Sequence, residues 1–148
     1  MQIRFRLFWA RSGPAGSKAF KSPAAHALFS EYASRIGKFC PCEALGAGER
    51  PPASRLWLCD RGPGSKVLSS EELARTLGAL LGGGARSLEI GIGGPDGFSK
   101  ETLASLKPDL RWSFGPLTLP HELAAVVAAE QVYRAWAILR GLPYHAGH

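Results

Sequence analysis

The last predicted helix, residues 121–140, carries almost no polar side chains, and this constrains the fold more than any other segment. Its clearly polar interior residues are Glu130, Gln131 and Arg134, which share one narrow stripe. A helix that is apolar nearly all round is buried on more than one side. Because 148 residues offer little material to wrap such a helix, we expect a second copy of the chain to cover it, as a homodimer. The alternative is the central helix of a monomer.

The rest of the chain alternates short apolar strands with helices. Strands are predicted at residues 2–9, 56–59, 88–92 and 110–114, and helices at 23–36, 69–82 and 99–107. Residues 38–54 are rich in Gly, Pro and Ala and are predicted to be irregular. Alternating strands and helices are typical of an α/β domain with a mainly parallel sheet, which we expect to be a single domain over residues 1–148.

Two helix starts are marked by specific local signals. Ser22 precedes Pro23, the combination of an N-cap residue and proline at the first helical position. Ser69 and Glu72 have the spacing of a capping box, in which each side chain binds the other residue's backbone N–H. Gly37 and the run of glycines from Gly82 are predicted to end these two helices.

Composition narrows the choice of partner and compartment. The formal net charge of +6 favours a polyanionic partner, nucleic acid above all. Three cysteines do not make a disulfide framework, and Cys40 and Cys42 are too close and too few for a zinc site, so no metal is expected. No stretch approaches the ~20 apolar residues of a membrane span, and the start of the chain does not resemble a signal peptide. The cytoplasm is the expected location.

Two loops between a strand and a helix carry the candidate chemistry. The first, Gly91–Gly97, is rich in glycine but has neither a dinucleotide fingerprint nor a Walker lysine, and a turn that serves only the fold is an equal alternative. The second, Ser113–His121, is also poor in charged groups. At neighbouring strand ends the two loops would form a crevice lined by backbone amides and carbonyls. Such a crevice suits adenine and a sulfonium better than a triphosphate, which favours lysine and arginine.

Four motifs resemble one known family. Ile92–Gly97, Leu117–His121, Glu130–Trp136 and Pro143–His145 are similar to the bacterial ribosomal RNA large subunit methyltransferase H family of the SPOUT class. The resemblance implies an S-adenosylmethionine-dependent enzyme that methylates N3 of a pseudouridine in 23S rRNA. It also implies a parallel sheet with helices on both faces and a trefoil knot over about residues 88–145. A SPOUT enzyme acting on another RNA, such as a tRNA ribose, and a non-enzymatic ribosome-binding protein of this fold remain alternatives.

The same resemblance implies which residues form the site. The expected lining of the S-adenosylmethionine pocket is Leu58, Gly93, Gly94, Phe114, Gly115, Pro116, Leu117, Thr118 and Leu119. The catalytic candidates are His121, Arg134, Tyr144 and His145. A histidine could take the imide proton and an arginine could stabilise the developing anion or hold a phosphate. Alternatively, His121 caps the last helix and Arg134 forms an interface ion pair.

The chain departs from the family in two places. Between Lys38 and Leu56 it is shorter than the family pattern, which has a strand and a helix there, so the second strand and the sheet edge are in doubt. Phe8–Ser12 also stands where the family has Val-Gly-Lys. Family expectations about RNA contacts therefore do not carry over to that segment.

Overall fold

A computed structural model describes residues 1–146 and shows a six-stranded sheet in the order β2-β1-β5-β3-β6-β4. All five strand pairings are parallel, as the alternating pattern predicted. The strands are β1 (Gln2–Leu7), β2 (Cys42–Leu45), β3 (Arg55–Cys59), β4 (Lys66–Val67), β5 (Ser87–Ile92) and β6 (Leu110–Ser113). The helices are α1 (Pro23–Ile36), α2 (Ser70–Gly82), α3 (Lys100–Leu106) and α4 (His121–Leu139).

The predicted helix starts are confirmed in atomic detail. The Ser22 hydroxyl accepts a hydrogen bond from the backbone N–H of Ala25, with Pro23 at the first position of α1. The Ser69 hydroxyl accepts from Glu72 N–H, and the Glu72 carboxylate accepts from Ser69 N–H, which completes the capping box of α2. These bonds satisfy N–H groups that the first helical turn leaves without partners.

The main core lies between one face of the sheet and three helices. Alternating residues of the adjacent strands β1 and β5 face it, namely Ile3, Phe5, Leu7, Leu88, Ile90 and Ile92. Helices α1 and α2 both pack along α4, and α4 contacts β5. On the opposite face Phe8 packs edge-to-face against Phe98, which lies just before α3. The helices therefore lie on both faces of the sheet.

Helix α4 is covered within a single chain to a degree that we did not expect. Nine of its residues are buried, from Glu122 to Ala137, because α1 and α2 flank it over the sheet. A single chain therefore covers much of this helix, but it does not cover it completely. An outward stripe through Leu123, Val127, Gln131 and Arg134 stays at least partly exposed. The dimer remains a prediction, and its interface would have to include that stripe.

The prediction that residues 38–54 are irregular is wrong for β2. Residues 42–45 pair in parallel with β1 from Ile3 to Arg6 and form the edge of the sheet. The strand lacks an alternating apolar pattern because it is short and only half buried. It is held by backbone pairing and by an ion pair from Arg4 to Glu43 at 3.1 Å. The second strand of the family pattern is thus present despite the shortened segment.

The parallel arrangement places the functional loops at one edge of the sheet. The loops that follow β1, β5, β3 and β6 all leave the carboxyl ends of their strands, where ligands bind in open α/β sheets. Since β5 lies between β1 and β3, the glycine-rich loop after β5 sits at the centre of this edge. The trefoil knot stays a prediction.

Candidate active site

A cavity of about 450 Å³ opens at the carboxyl edge of the sheet, within the size range of small-molecule sites. Three loops and the start of α4 form its walls. Its lining includes Cys59, Asp60, Arg61, Gly62, Gly93, Gly94, Pro95, Asp96, Gly97, Phe98, Trp112, Phe114, Leu117, Thr118, Leu119 and His121. The two loops singled out in the sequence therefore do share one crevice, but their strands are not neighbours as expected, because β3 lies between β5 and β6.

The glycines of the β5 loop pack closely against one another, which leaves the space beside the loop open as a cavity. A β-carbon on Gly93 would lie 3.2 Å from the Gly97 α-carbon and 3.2 Å from the Phe98 ring, which is too tight for most side chains. Gly97 has a φ of 68°, in the left-handed region that favours glycine, and its N–H donates to the Gly94 carbonyl at 3.0 Å. The loop is therefore a compact turn that brings its backbone to the cavity.

The third wall, residues 59–62, was missing from the sequence-based site. Arg111 on β6 holds it in place: Nε donates to the Asp60 carboxylate at 2.9 Å, Nη2 contacts the same oxygen, and Nη1 donates to the Pro63 carbonyl. Arg61 donates to the Pro116 carbonyl at 3.3 Å, which links this wall to the β6 loop. The signal that could have found it is the Asp60–Gly64 turn, which directly follows a buried parallel strand.

Six of the nine predicted cofactor residues line the cavity, and three lie outside its wall. Gly93, Gly94, Phe114, Leu117, Thr118 and Leu119 belong to the lining. Gly115 and Pro116 lie in the same loop but not on the wall. Leu58 is fully buried, and its side chain lies 2.6 Å from where a Gly91 β-carbon would be; its neighbour Cys59 lines the cavity instead. Burial raises the pKa of the Cys59 thiol, which keeps it protonated.

His121 lies at the mouth of the cavity and at the first turn of α4. Its ring packs edge-to-face against Trp9, with centroids 4.6 Å apart. The next residue, Glu122, is buried, and its carboxylate accepts the backbone N–H groups of Lys21 and Ser22 at 2.9 and 3.0 Å. Burial raises the pKa of Glu122, but the two hydrogen bonds together with the charges of His121 and Lys21 lower the pKa overall. The contact with Trp9 and the hydrogen bonds of the neighbouring Glu122 therefore hold His121 in place.

The other three catalytic candidates form a separate network at the far end of α4. Arg134 Nε and Nη2 donate to one oxygen of Glu130 at 3.1 and 2.7 Å, and the Tyr144 hydroxyl donates to that oxygen at 2.8 Å. The Arg134 guanidinium lies 4.8 Å from the centre of the Tyr144 ring. Burial lowers the pKa of Arg134, but Glu130 outweighs this and raises it overall, whereas burial raises the pKa of Tyr144. The arginine is a fixed cation and the tyrosine a neutral phenol.

The hydrogen bonds of His145 define its tautomer. Arg134 Nη1 lies 3.0 Å from His145 Nδ1, and a guanidinium can only donate, so Nδ1 accepts. His145 Nε2 therefore carries the proton and donates it to Glu71 at 2.7 Å. Both ring nitrogens have partners in this arrangement, so His145 orients Arg134 rather than offering a free lone pair. Tyr144 and His145 thus have defined places against α4.

The network and the cavity are far apart within one chain. His121 and Arg134 are separated by 13 positions on α4. At 1.5 Å per residue this corresponds to about 20 Å along the helix axis. A single chain therefore does not bring Arg134, Tyr144 and His145 to the cavity that His121 borders.

Within residues 1–146, no helix is long and apolar enough to cross a membrane. Nor do three or more His, Cys, Asp or Glu side chains gather anywhere in this part of the chain in a group that could hold a metal ion. Cys40, Cys42 and Cys59 are all free thiols.

Comparison with known proteins identifies the family. The family described as "Predicted SPOUT methyltransferase" matches residues 49–145. "Ribosomal RNA large subunit methyltransferase H" of Koribacter versatilis (strain Ellin345) is 40% identical over 137 residues, covering 86% of this chain and 92% of the relative. The chain belongs to the SPOUT methyltransferases.

Other relatives of the same name are also similar to this chain. The protein of Psychrobacter sp. (strain PRwf-1) is 38% identical over 90% of this chain and 76% of its own length. That of Maricaulis maris (strain MCS10) is 46% identical over 69% of this chain and 62% of its own length. A solved structure of Lpg2936 from Legionella pneumophila with bound S-adenosylmethionine aligns over 90% of this chain and 66% of its own. At 17% identity and a TM-score of 0.44, that likeness carries no argument about the site.

The cavity of this SPOUT methyltransferase fits the cofactor that the resemblance implied, S-adenosylmethionine. Its walls combine glycine backbone with the aromatic rings of Trp112 and Phe114, which suits a flat, uncharged heterocycle. Arg61 is the one lysine or arginine among the described residues that line it, and its Nη1 donates to the Pro116 carbonyl, so a sulfonium would meet a single cation there. Asp60 adds a carboxylate, which Arg111 partly neutralises. The residues that would hold the cofactor are those of the β3, β5 and β6 loops.

Proposed function

We propose that this protein is an S-adenosylmethionine-dependent methyltransferase that methylates N3 of a pseudouridine in 23S rRNA, in the cytoplasm. The observation that carries the proposal is the cavity at the carboxyl edge of the sheet, which two of the motifs that resemble the large subunit methyltransferase H family help to line. The net charge of +6 supports an RNA partner.

The reaction sets clear demands on the protein. S-adenosylmethionine supplies an electrophilic methyl group on its sulfonium when bound. The chain must hold the target nitrogen in line with that methyl group, so positioning provides much of the rate enhancement. The imide N3–H must also lose its proton, to water or to a side chain within hydrogen-bond reach. His121 borders the cavity and is a candidate base within the same chain.

Arg134 has N–H donors left that could bind the anion that develops on the target base. A guanidinium has five N–H donors, and Glu130 and His145 use three of them, which leaves one on each terminal nitrogen. These two donors could bind a base carbonyl or a phosphate of the target RNA. We infer that Tyr144 and His145 act as positioning residues for Arg134 in this arrangement.

A two-fold dimer through α4 would join the two halves of the site. If two α4 helices cross antiparallel with Val127 against Val127, residue n of one helix lies beside residue 254 − n of the other. Arg134 of the partner subunit then falls beside Pro120, at the edge of the cavity that His121 borders. We infer that each active site takes its cofactor pocket from one subunit and its arginine network from the other.

The outward stripe of α4 has the chemistry that such an interface needs. Leu123 is 44% exposed, and Leu117 in the adjacent pocket loop is 69% exposed. Val127 lies between Leu123 and the polar residues Gln131 and Arg134 on the same stripe. An apolar centre with a polar rim is typical of a protein–protein interface. The exposure of these leucines in a single chain, together with the separation of about 20 Å between His121 and Arg134, supports the homodimer.

The proposed reaction is tested by mass spectrometry of RNA from a strain that lacks the gene. We expect 23S rRNA from that strain to lack one methyl group on a pseudouridine, and the purified protein to restore it with S-adenosylmethionine. Unchanged 23S rRNA together with a lost tRNA methyl group would favour the other RNA target. A protein that binds no S-adenosylmethionine in calorimetry would instead be a non-enzymatic ribosome-binding protein.

A further inference from the structure

A loop of residues 8–22, here called the basic loop, follows β1 and carries unpaired positive charge. Arg11, Lys18 and Lys21 are all exposed, and no ion pair involves their side chains within residues 1–146. The sequence contains no Asp or Glu before Glu31. The buried carboxylate of Glu122 accepts the backbone N–H groups of Lys21 and Ser22, and the charge of Lys21 attracts it without forming an ion pair. The loop therefore presents three cations and no anion of its own.

The basic loop is held in one conformation by backbone hydrogen bonds. Ala10 and Gly13 accept from the N–H groups of Ala47 and Gly46, at 3.0 and 2.9 Å. A β-carbon on Gly46 would lie 1.7 Å from the Arg11 carbonyl oxygen, so the two segments are in direct backbone contact. The Trp9 indole N–H donates to the Ala19 carbonyl at 2.6 Å and closes the loop on itself. A surface held in this way binds with little loss of conformational entropy.

The basic loop adjoins the active-site cavity. Because β1 lies next to β5, its loop lies beside the glycine-rich loop after β5. Trp9 makes the contact on two sides: its ring packs against His121, and its β-carbon would be 3.4 Å from a β-carbon on Gly94. Both of those residues line the cavity. Trp9 and the Lys21 backbone N–H, which donates to Glu122, thus join the basic loop to the start of α4 beside the cavity.

We propose that the basic loop binds the phosphate backbone of the RNA segment that flanks the target nucleoside. This inference rests on the proposed function and adds the surface that receives the substrate. Lysine and arginine on a fixed loop suit phosphates, whose contacts set the register of the nucleic acid without reading its sequence. The loop would hold the RNA strand while the target base enters the cavity beside Trp9.

The test compares two variants with the same loss of charge. The first replaces all three loop cations, as Arg11→Gln, Lys18→Gln and Lys21→Gln. The matched control is Arg86→Gln, Lys38→Gln and Lys107→Gln, which also removes one arginine and two lysines. These control residues are exposed and precede β5, β2 and β6, so they lie at the opposite edge of the sheet.

Binding to ribosomal large subunits that lack the modification is measured as a function of salt, alongside methylation. We expect the loop variant to bind about tenfold more weakly or worse, and its log–log salt slope to fall by roughly 2, since each lost phosphate contact on a single strand removes about 0.7. The apparent KM for the RNA substrate should rise in parallel. The control variant should stay within about twofold of wild type, and S-adenosylmethionine affinity should be unchanged in both.

Equal losses in the two variants would overturn the proposal, because net charge alone would then explain them. An unchanged salt slope in the loop variant would overturn it too. Failure of the proposed function looks different: wild-type protein would then bind the subunits without transferring a methyl group, whereas the binding comparison between the two variants would still be decisive for the loop.

Discussion

Arg134→Ala is expected to lower kcat by about 100- to 1,000-fold while S-adenosylmethionine binds as before. The physical reason is that Arg134 offers two free N–H donors to charge that develops on the target base, and removal of one such donor typically costs this much. Arg134 does not belong to the lining of the cofactor cavity, and in the proposed dimer it reaches only the edge of the partner's cavity, so the affinity for S-adenosylmethionine should not change. Single-turnover methylation and calorimetry measure the two effects separately.

Arg35→Ala is the matched control for that variant. Arg35 lies at the same end of the molecule, packs over the Tyr32 and Tyr133 rings at 5.1 and 5.5 Å, and pairs with Glu31. Its loss removes a partly buried arginine without touching Glu130 or His145. We expect kcat to stay within a few fold of wild type. Similar kcat losses in both variants would mean that Arg134 matters for the packing of α4 and not for the reaction.

Gly94→Val is expected to abolish measurable S-adenosylmethionine binding in a protein that still folds. A β-carbon at this position would already lie 3.4 Å from the Trp9 β-carbon. The two further methyl groups of valine must therefore displace Trp9 or enter the cavity that the cofactor occupies. Calorimetry gives the affinity and circular dichroism the folded state.

Gly94→Ala separates volume from backbone effects in the same experiment. Its single methyl group fits at van der Waals distance from Trp9, and Gly94 does not have a left-handed φ, so alanine is not strained there. We expect the alanine variant to bind S-adenosylmethionine within about tenfold of wild type. Unchanged affinity in folded Gly94→Val would remove the β5 loop from the cofactor site.

Local signals in the sequence predicted most of the fold. Ser22 and Ser69 specify their helix starts through side-chain bonds to residues three positions away, and such contacts can be read directly from spacing. The edge strand β2 could not be predicted in this way. It is fixed by backbone pairing with β1 and by Glu43 meeting Arg4, which lies 39 positions away in the chain.

The candidate site shows the same limit. The loops after β5 and β6 carry family motifs and were predicted, whereas the wall at residues 59–62 depends on Arg111 reaching back to Asp60 across the sheet. The interpretation of α4 was incomplete for a related reason. Its apolar surface indicated burial on several sides, but not which elements bury it. Helices α1 and α2 provide most of that burial, and this is determined by the packing of the whole chain.

The proposed active site is shared between two subunits, and mixing two inactive variants tests this sharing most directly. Gly94→Val lacks the cofactor pocket and Arg134→Ala lacks the arginine, so each alone should be inactive. Random association of equal amounts makes half of the dimers mixed, and each mixed dimer has one intact site, so about a quarter of wild-type activity should return. The same mixture with Val127→Glu added to both chains should stay inactive, because a charge at the interface prevents pairing. A mixture that forms dimers yet stays as inactive as its components would contradict the shared site.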